Sequence, residues 1–168
     1  MFDFMRRPDG TIKPQAKIAA GGVGAVMLIA IPLVAGFEGY SGKVYLDSVG
    51  VKTICYGQTA DDGANFSKVY TKAECEQMLG TDLVKYDLMV HTCIHDPIPT
   101  HREAALVSFS YNLGRGALCG GLIPRYLNAG NIVAGCATIL RYDHAGGRVL
   151  KGLTDRRKIE QQLCLRRD

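Results

Sequence analysis

Two carboxylates and a hydroxyl, Glu38, Asp47 and Thr53, fall within the stretch EGYSGKVYLDSVGVKTICYGQT. These types suit one chemistry. Cleaving a glycosidic bond needs one acid that gives its proton to the leaving oxygen and one charged carboxylate across the sugar. A hydroxyl beside them can hold water. Spacing alone favours acids in solvated loops, so the triad becomes a site only if the chain around it brings the two carboxyls to one cleft.

The neighbouring elements can do that. Glu38 closes an apolar run and is followed by Gly39 and Gly42, so it ends a helix. Val44-Tyr45-Leu46-Asp47 alternates apolar and polar, Ser48-Val49-Gly50 is turn-like, and Val51 to Tyr56 alternates again, which predicts a β-hairpin. Asp47 then ends the first strand and Thr53 lies on the second. Cys55 shares the strand face of Thr53 and is either half of a disulfide or a thiol near the site. Gly57, Gly63 and the polar run from Gln58 to Ser67 read as loops.

Downstream the pattern is helical. Thr71-Lys72-Ala73-Glu74 is a capping box that opens a long helix towards Cys93, with Leu79, Leu83, Tyr86, Met89 and Val90 at helical spacing. Asp96-Pro97 and Ile98-Pro99 break the chain. Thr100-His101-Arg102-Glu103 has the form of a second capping box, before an apolar helix over Ala104–Leu113. Glycines then punctuate short helices near Leu122–Leu127 and Ile132–Tyr142, and Thr154 or Asp155 can cap a last helix through Leu163. One hairpin amid many helices predicts an α+β domain in two lobes joined by the long helix.

Composition bounds the function. The 168 residues suffice for one domain with one core. The net charge of +4 is concentrated at the two ends, in Arg6, Arg7, Lys13 and Lys17 and in Arg156, Arg157, Lys158, Arg166 and Arg167. This bias suits an anionic surface, whether lipid, cell wall or nucleic acid, and selects none of them. The chain holds no P-loop, dinucleotide fingerprint, zinc spacing or nucleic-acid module, so no cofactor, no metal and no nucleic-acid partner are expected. Cys55, Cys75, Cys93, Cys119, Cys136 and Cys164 form no C-x-x-C pair. Their even number suits three disulfides in an oxidising compartment, or six buried thiols, and six cysteines allow about fifteen pairings.

Ile18 to Phe37 runs without a charge, IAAGGVGAVMLIAIPLVAGF, after a basic tail over residues 1–17. Twenty helical residues span about 30 Å, and basic residues on the N-terminal side predict that end inside and the remainder, 38–168, outside. Nine of the twenty are Gly or Ala, and Pro32 removes an amide donor, so insertion is only weakly favourable. A cleaved signal peptide, a permanent anchor and a buried core helix all fit this run.

The triad spacing, Glu38, eight residues, Asp47, five residues, Thr53, resembles the signature of the phage-type lysozymes, endolysins of glycoside hydrolase family 24. AALVSFSYNLG (Ala104–Gly114), LNAGN (Leu127–Asn131), YDHAGG (Tyr142–Gly147) and GLTDRRKIEQQLC (Gly152–Cys164) follow in that family's order. The likeness spans about Phe37 to Leu165 and implies a lysozyme-like fold. It implies a muramidase that hydrolyses the β-1,4 bond between N-acetylmuramic acid and N-acetylglucosamine of peptidoglycan. Glu38 would be the general acid and Asp47 the base that activates water, with Thr53 positioning that water. Inversion implies carboxyls about 6.5–9.5 Å apart. Arg156 aligns with a partner of the catalytic glutamate, and Tyr111 and Asn112 with the sugar-binding cleft. The chain departs from many relatives in having Cys55 and Gln58 for Gly and His, and Tyr142 for Trp.

Ile18–Phe37 resembles the signal-anchor-release segment of a lambdoid-phage subgroup. That likeness implies an enzyme tethered inactive to the host inner membrane, N-terminus in, and freed into the periplasm when a holin collapses the membrane potential. A periplasmic domain suits disulfides, with Cys93–Cys119 and Cys136–Cys164 as candidate pairs, and a monomer is expected. The competing readings are a cell-wall-binding protein that does not cut, a lytic transglycosylase, which would not require Asp47, and a small membrane protein such as a holin.

Overall fold

The computed structural model describes residues 22–47 and 50–167. The tail 1–17 and the first residues of the apolar run, 18–21, lie outside these. Helix α1 (Gly22–Glu38) leads into strands β1 (Ser41–Leu46) and β2 (Lys52–Cys55). Helices α2 (Lys72–Cys93), α3 (Thr100–Cys119), α4 (Ile123–Leu127) and α5 (Ile132–Thr138) follow. Strands β3 (His144–Ala145) and β4 (Arg148–Val149) precede helix α6 (Lys151–Leu165), and short 3-10 turns lie at Ala60–Asp62 and Ile139–Arg141.

The described part of the apolar run is a core helix in this state. Val26, Met27, Ala30 and Val34 form a buried stripe at helical spacing, and α1 packs on α2 and α3. The absence of a side chain at Gly80 of α2 lets the two helices close, since a β-carbon there would stand 3.0 Å from Ile31 Cδ1. Pro32 is tolerated because the carbonyl it deprives of a partner belongs to Leu28, which is 80% exposed and can take water. Among the described residues, no helix is long and apolar enough to cross a membrane.

The β1–β2 hairpin is antiparallel, with Tyr45 opposite Thr53 and Leu46 opposite Lys52, and its register is irregular between Ser41 and Tyr45. Its turn is closed by Asp47 N–H donating to Val51 O (3.0 Å) and by Gly50, whose φ of 83° requires a residue without a β-carbon. The capping box at Thr71 forms as its pattern predicts: Glu74 N–H donates to Thr71 Oγ1 (3.3 Å) and Thr71 N–H to Glu74 Oε2 (2.8 Å).

Two helix starts differ from the sequence reading. Helix α3 begins at Thr100 itself, with Pro99 in the cap position; proline's fixed φ suits that place, and Pro99 O accepts from Glu103 N–H (2.9 Å). Helix α6 begins at Lys151, ahead of Thr154 and Asp155. A second hairpin explains this. Gly146 and Gly147, both at positive φ, turn the chain between β3 and β4 and deliver it directly into α6, while the Thr154 hydroxyl donates to Asp143 Oδ2 (3.2 Å). Strands of two residues are too short to show alternation in a sequence.

Helix α3 is the centre of the molecule. Residues 103–110 are all buried, beneath α1, α2 and α6, and the helix breaks at Gly114 (φ 76°, ψ 176°). Three disulfides join the elements: Cys55–Cys75, buried in the core, ties β2 to α2, Cys93–Cys119 ties the ends of α2 and α3, and Cys136–Cys164, also buried, ties α5 to α6.

Candidate active site

Glu38 is the last residue of α1, and its side chain, 25% exposed, enters a cleft of about 460 Å³. Tyr56, Gly57 and Asp62 line the cleft from the hairpin side, Asp82, Lys85, Tyr86 and Met89 from α2, and Tyr111 and Asn112 from α3. The run of residues that makes α1 part of the core therefore also fixes where its terminal carboxylate points.

That carboxylate is held from below. Arg156 Nη1 donates to Glu38 Oε1 (2.6 Å), Arg156 Nε to Glu160 Oε1 (3.0 Å) and Arg156 Nη2 to Ser108 O (3.1 Å), so the whole guanidinium fork is engaged. Its Cζ also stands 4.8 Å from the centroid of the Phe37 ring. Glu160 is fully buried and accepts from Ser108 Oγ (2.7 Å) and Arg157 Nη1 (2.7 Å); Arg157 in turn bonds Asn112 Oδ1. Burial pushes the Glu160 carboxyl above its ordinary range, and the guanidiniums of Arg157 and Arg156 oppose that rise. Arg156 thus bridges Glu38 and Glu160, and Arg157 pairs with Glu160 as well. Charges this deep persist because each is paired.

Asp47 and Thr53 come from the hairpin beside Glu38 and are not among the residues that wall the cleft. Asp47 Oδ1 accepts from Val51 N–H (2.8 Å), and the buried Thr53 donates its hydroxyl to Val51 O (3.0 Å). Tyr45 precedes them on the same hairpin. Its backbone lies opposite Thr53, and its phenol pKa is raised by burial first and then by the charges of Glu38 and Asp47.

Tyr111 and Asn112 both face the cleft. The Tyr111 hydroxyl donates to Tyr56 O (3.0 Å), the ring meets Tyr86 edge-on at 5.3 Å, and burial pushes its phenol pKa upward. Gln58 lies behind the wall, 1% exposed, with Nε2 donating to Asp82 Oδ2 (3.1 Å) and Oε1 accepting from Tyr56 N–H (2.9 Å). It fills a structural place under the cleft floor. Cys55 is half of a disulfide, at a positive φ of 59°. Sequence reasoning missed Ser108, Arg157, Glu160 and Asp82. The Arg156-x-x-x-Glu160 spacing on one helix was the signal available for part of that set.

The family model described as phage lysozyme matches residues 35–160, a span holding every residue of this site. The chain belongs to the phage lysozyme family. The SAR-endolysin of Enterobacteria phage P21 is 37% identical over 156 residues, covering 90% of this chain and 94% of that protein. The SAR-endolysin of Bacteriophage PS119 is 40% identical over 130 residues, 77% of each chain. Among solved structures, the endolysin of Escherichia coli O157:H7 phage FAHEc1 superposes with a TM-score of 0.74 at 29% identity, covering 82% of this chain and 90% of its own. A P22 lysozyme variant gives the same TM-score at 28% identity, over 82% and 95% of the two chains. This lysozyme is thus a hydrolase with a muramidase role in host lysis, and peptidoglycan is the substrate its family implies.

Proposed function

We propose that the chain cuts the β-1,4 bond between N-acetylmuramic acid and N-acetylglucosamine with inversion. Glu38 gives its proton to the leaving glycosidic oxygen. Asp47 takes a proton from a water that attacks the anomeric carbon from the opposite face, and Thr53 orients that water. Tyr111 and Asn112 contact sugar, and Arg156 fixes the Glu38 side chain without touching substrate. One observation carries this reading: a carboxylate at a helix end, anchored by an arginine at 2.6 Å, opens into the cleft beside a hairpin that carries a second carboxylate.

The same enzyme waits at the inner membrane until a holin collapses the membrane potential, then works in the periplasm. The support is the double character of α1. Val26, Met27, Ala30 and Val34 pack in the core here, yet the same uncharged residues suit lipid. A helix held in the bilayer would keep Glu38, its last residue, at the lipid interface and away from Arg156. The kinship with SAR-endolysins favours this control.

Two experiments test the reading. In a zymogram, Glu38→Gln leaves peptidoglycan uncleared where the parent clears it; equal clearing removes Glu38 from the mechanism. Mass spectrometry of the released muropeptides shows reducing ends, and anhydro-sugar ends would assign a lytic transglycosylase instead. For the control, cells fractionated with and without a membrane uncoupler show cleavage only in the released fraction; equal specific activity in the membrane fraction refutes tethered silencing.

A further inference from the structure

A second cluster lies outside the cleft. On the side of α2 that meets the first turn of α3, Asp87, His91 and Glu103 each offer one donor atom within 4.8 Å of the others. Asp87 and His91 stand one helical turn apart and so project towards the same neighbour. Asp87 is 1% exposed and Glu103 3%, while the His91 side chain retains 14%. His91 Nε2 contacts Glu103 Oε1. Asp87 Oδ1 is buried and has no hydrogen-bond partner among the described residues. None of the three lines the cleft, and glycan cleavage has no use for them.

Asp87 Oδ1 is a buried acceptor without a donor, and an ion held between the three side chains would satisfy it. The donor set, one imidazole nitrogen and two carboxylate oxygens from two helices, matches a three-ligand zinc site whose fourth position is water.

We propose that Asp87, His91 and Glu103 form a divalent-metal site, with Zn²⁺ as the fitting ion, that pins α2 to the start of α3. Bonds of about 2.0–2.2 Å set tetrahedral donors roughly 3.4 Å apart, so small side-chain rotations suffice to close the cluster. The ion takes the place of the proton between His91 and Glu103, which leaves to solvent, so acid weakens binding. The exposed edge of His91 is the access route.

The test uses the soluble full-length protein with disulfides intact, stripped with EDTA and titrated with Zn²⁺ by calorimetry, and with Co²⁺ by visible absorption. The expected result is one ion per chain, proton release and a tetrahedral Co²⁺ spectrum. Asp87→Asn and His91→Gln each weaken binding at least about tenfold, the low end even for an outer partner of a metal ligand. Nitrogen-15 spectra of the parent's imidazoles give an answer independent of how the variants fold, because Zn²⁺ must move the His91 Nε2 resonance. A parent that binds no ion at millimolar Zn²⁺, an unmoved His91 resonance, or Asp87→Asn binding as tightly as the parent through the exposed His95 and His144 would overturn the assignment.

Discussion

Replacing Arg156 by methionine removes the three hydrogen bonds that join Glu38, Glu160 and the Ser108 carbonyl. Glu160 stays fully buried and keeps Arg157 Nη1 and Ser108 Oγ, each at 2.7 Å. Glu38, a quarter exposed, regains water. Losing one partner of a buried ion pair costs about 3–5 kcal/mol, and the two surviving contacts to Glu160 place this case at about 3 kcal/mol. At about 2–4 °C per kcal/mol for a domain of this size, Tm falls by about 6–12 °C. Differential scanning calorimetry at neutral pH without reductant reads the change. A single-variant Tm within about 2 °C of the parent would show that the network does not stabilise the site.

Other perturbations report on other parts of the fold. Replacing Cys55 and Cys75 by serine opens a loop of sequence separation 20 and costs about 3 kcal/mol, read as a lower urea midpoint. Ala30→Leu crowds a fully buried position between α1 and its neighbours and costs about 1–3 kcal/mol in thermal unfolding; no change would mean that α1 is not part of the folded domain in solution. The Glu74 carboxyl is held at about 2 by its bond to Lys68 and then by the Thr71 amide and hydroxyl. A carboxyl depressed in the folded state contributes stability above its ordinary pKa of 4.5 and loses it as pH falls through about 2. The parent should therefore lose stability more steeply than Glu74→Gln across that window, and parallel curves would refute the contribution.

The sequence by itself determined the local elements and the chemical types of the site. Period-2 alternation flanking Ser48-Val49-Gly50 specified a hairpin, the Thr71–Glu74 box specified where α2 begins, and Gly39 after Glu38 specified a helix end. Each depends on near neighbours in the chain, so each was legible. The second hairpin was not, since its strands are two residues long, and the α6 start moved with it.

Only the tertiary structure decided which distant groups meet. Glu38 and Arg156 are 118 residues apart, and Ser108 reaches Glu160 across 52. Gln58, which looks like a cleft residue by position, is bonded beneath the wall to Asp82. Asp87 and His91 share a visible helical spacing, but the carboxylate that completes their cluster comes from another helix. Whether Ile18–Phe37 faces lipid or core is beyond its composition, because an uncharged stripe satisfies either. In the folded domain its described residues lie against α2 and α3, since burying Val26, Ala30 and Val34 there removes the same apolar surface from water that a bilayer would.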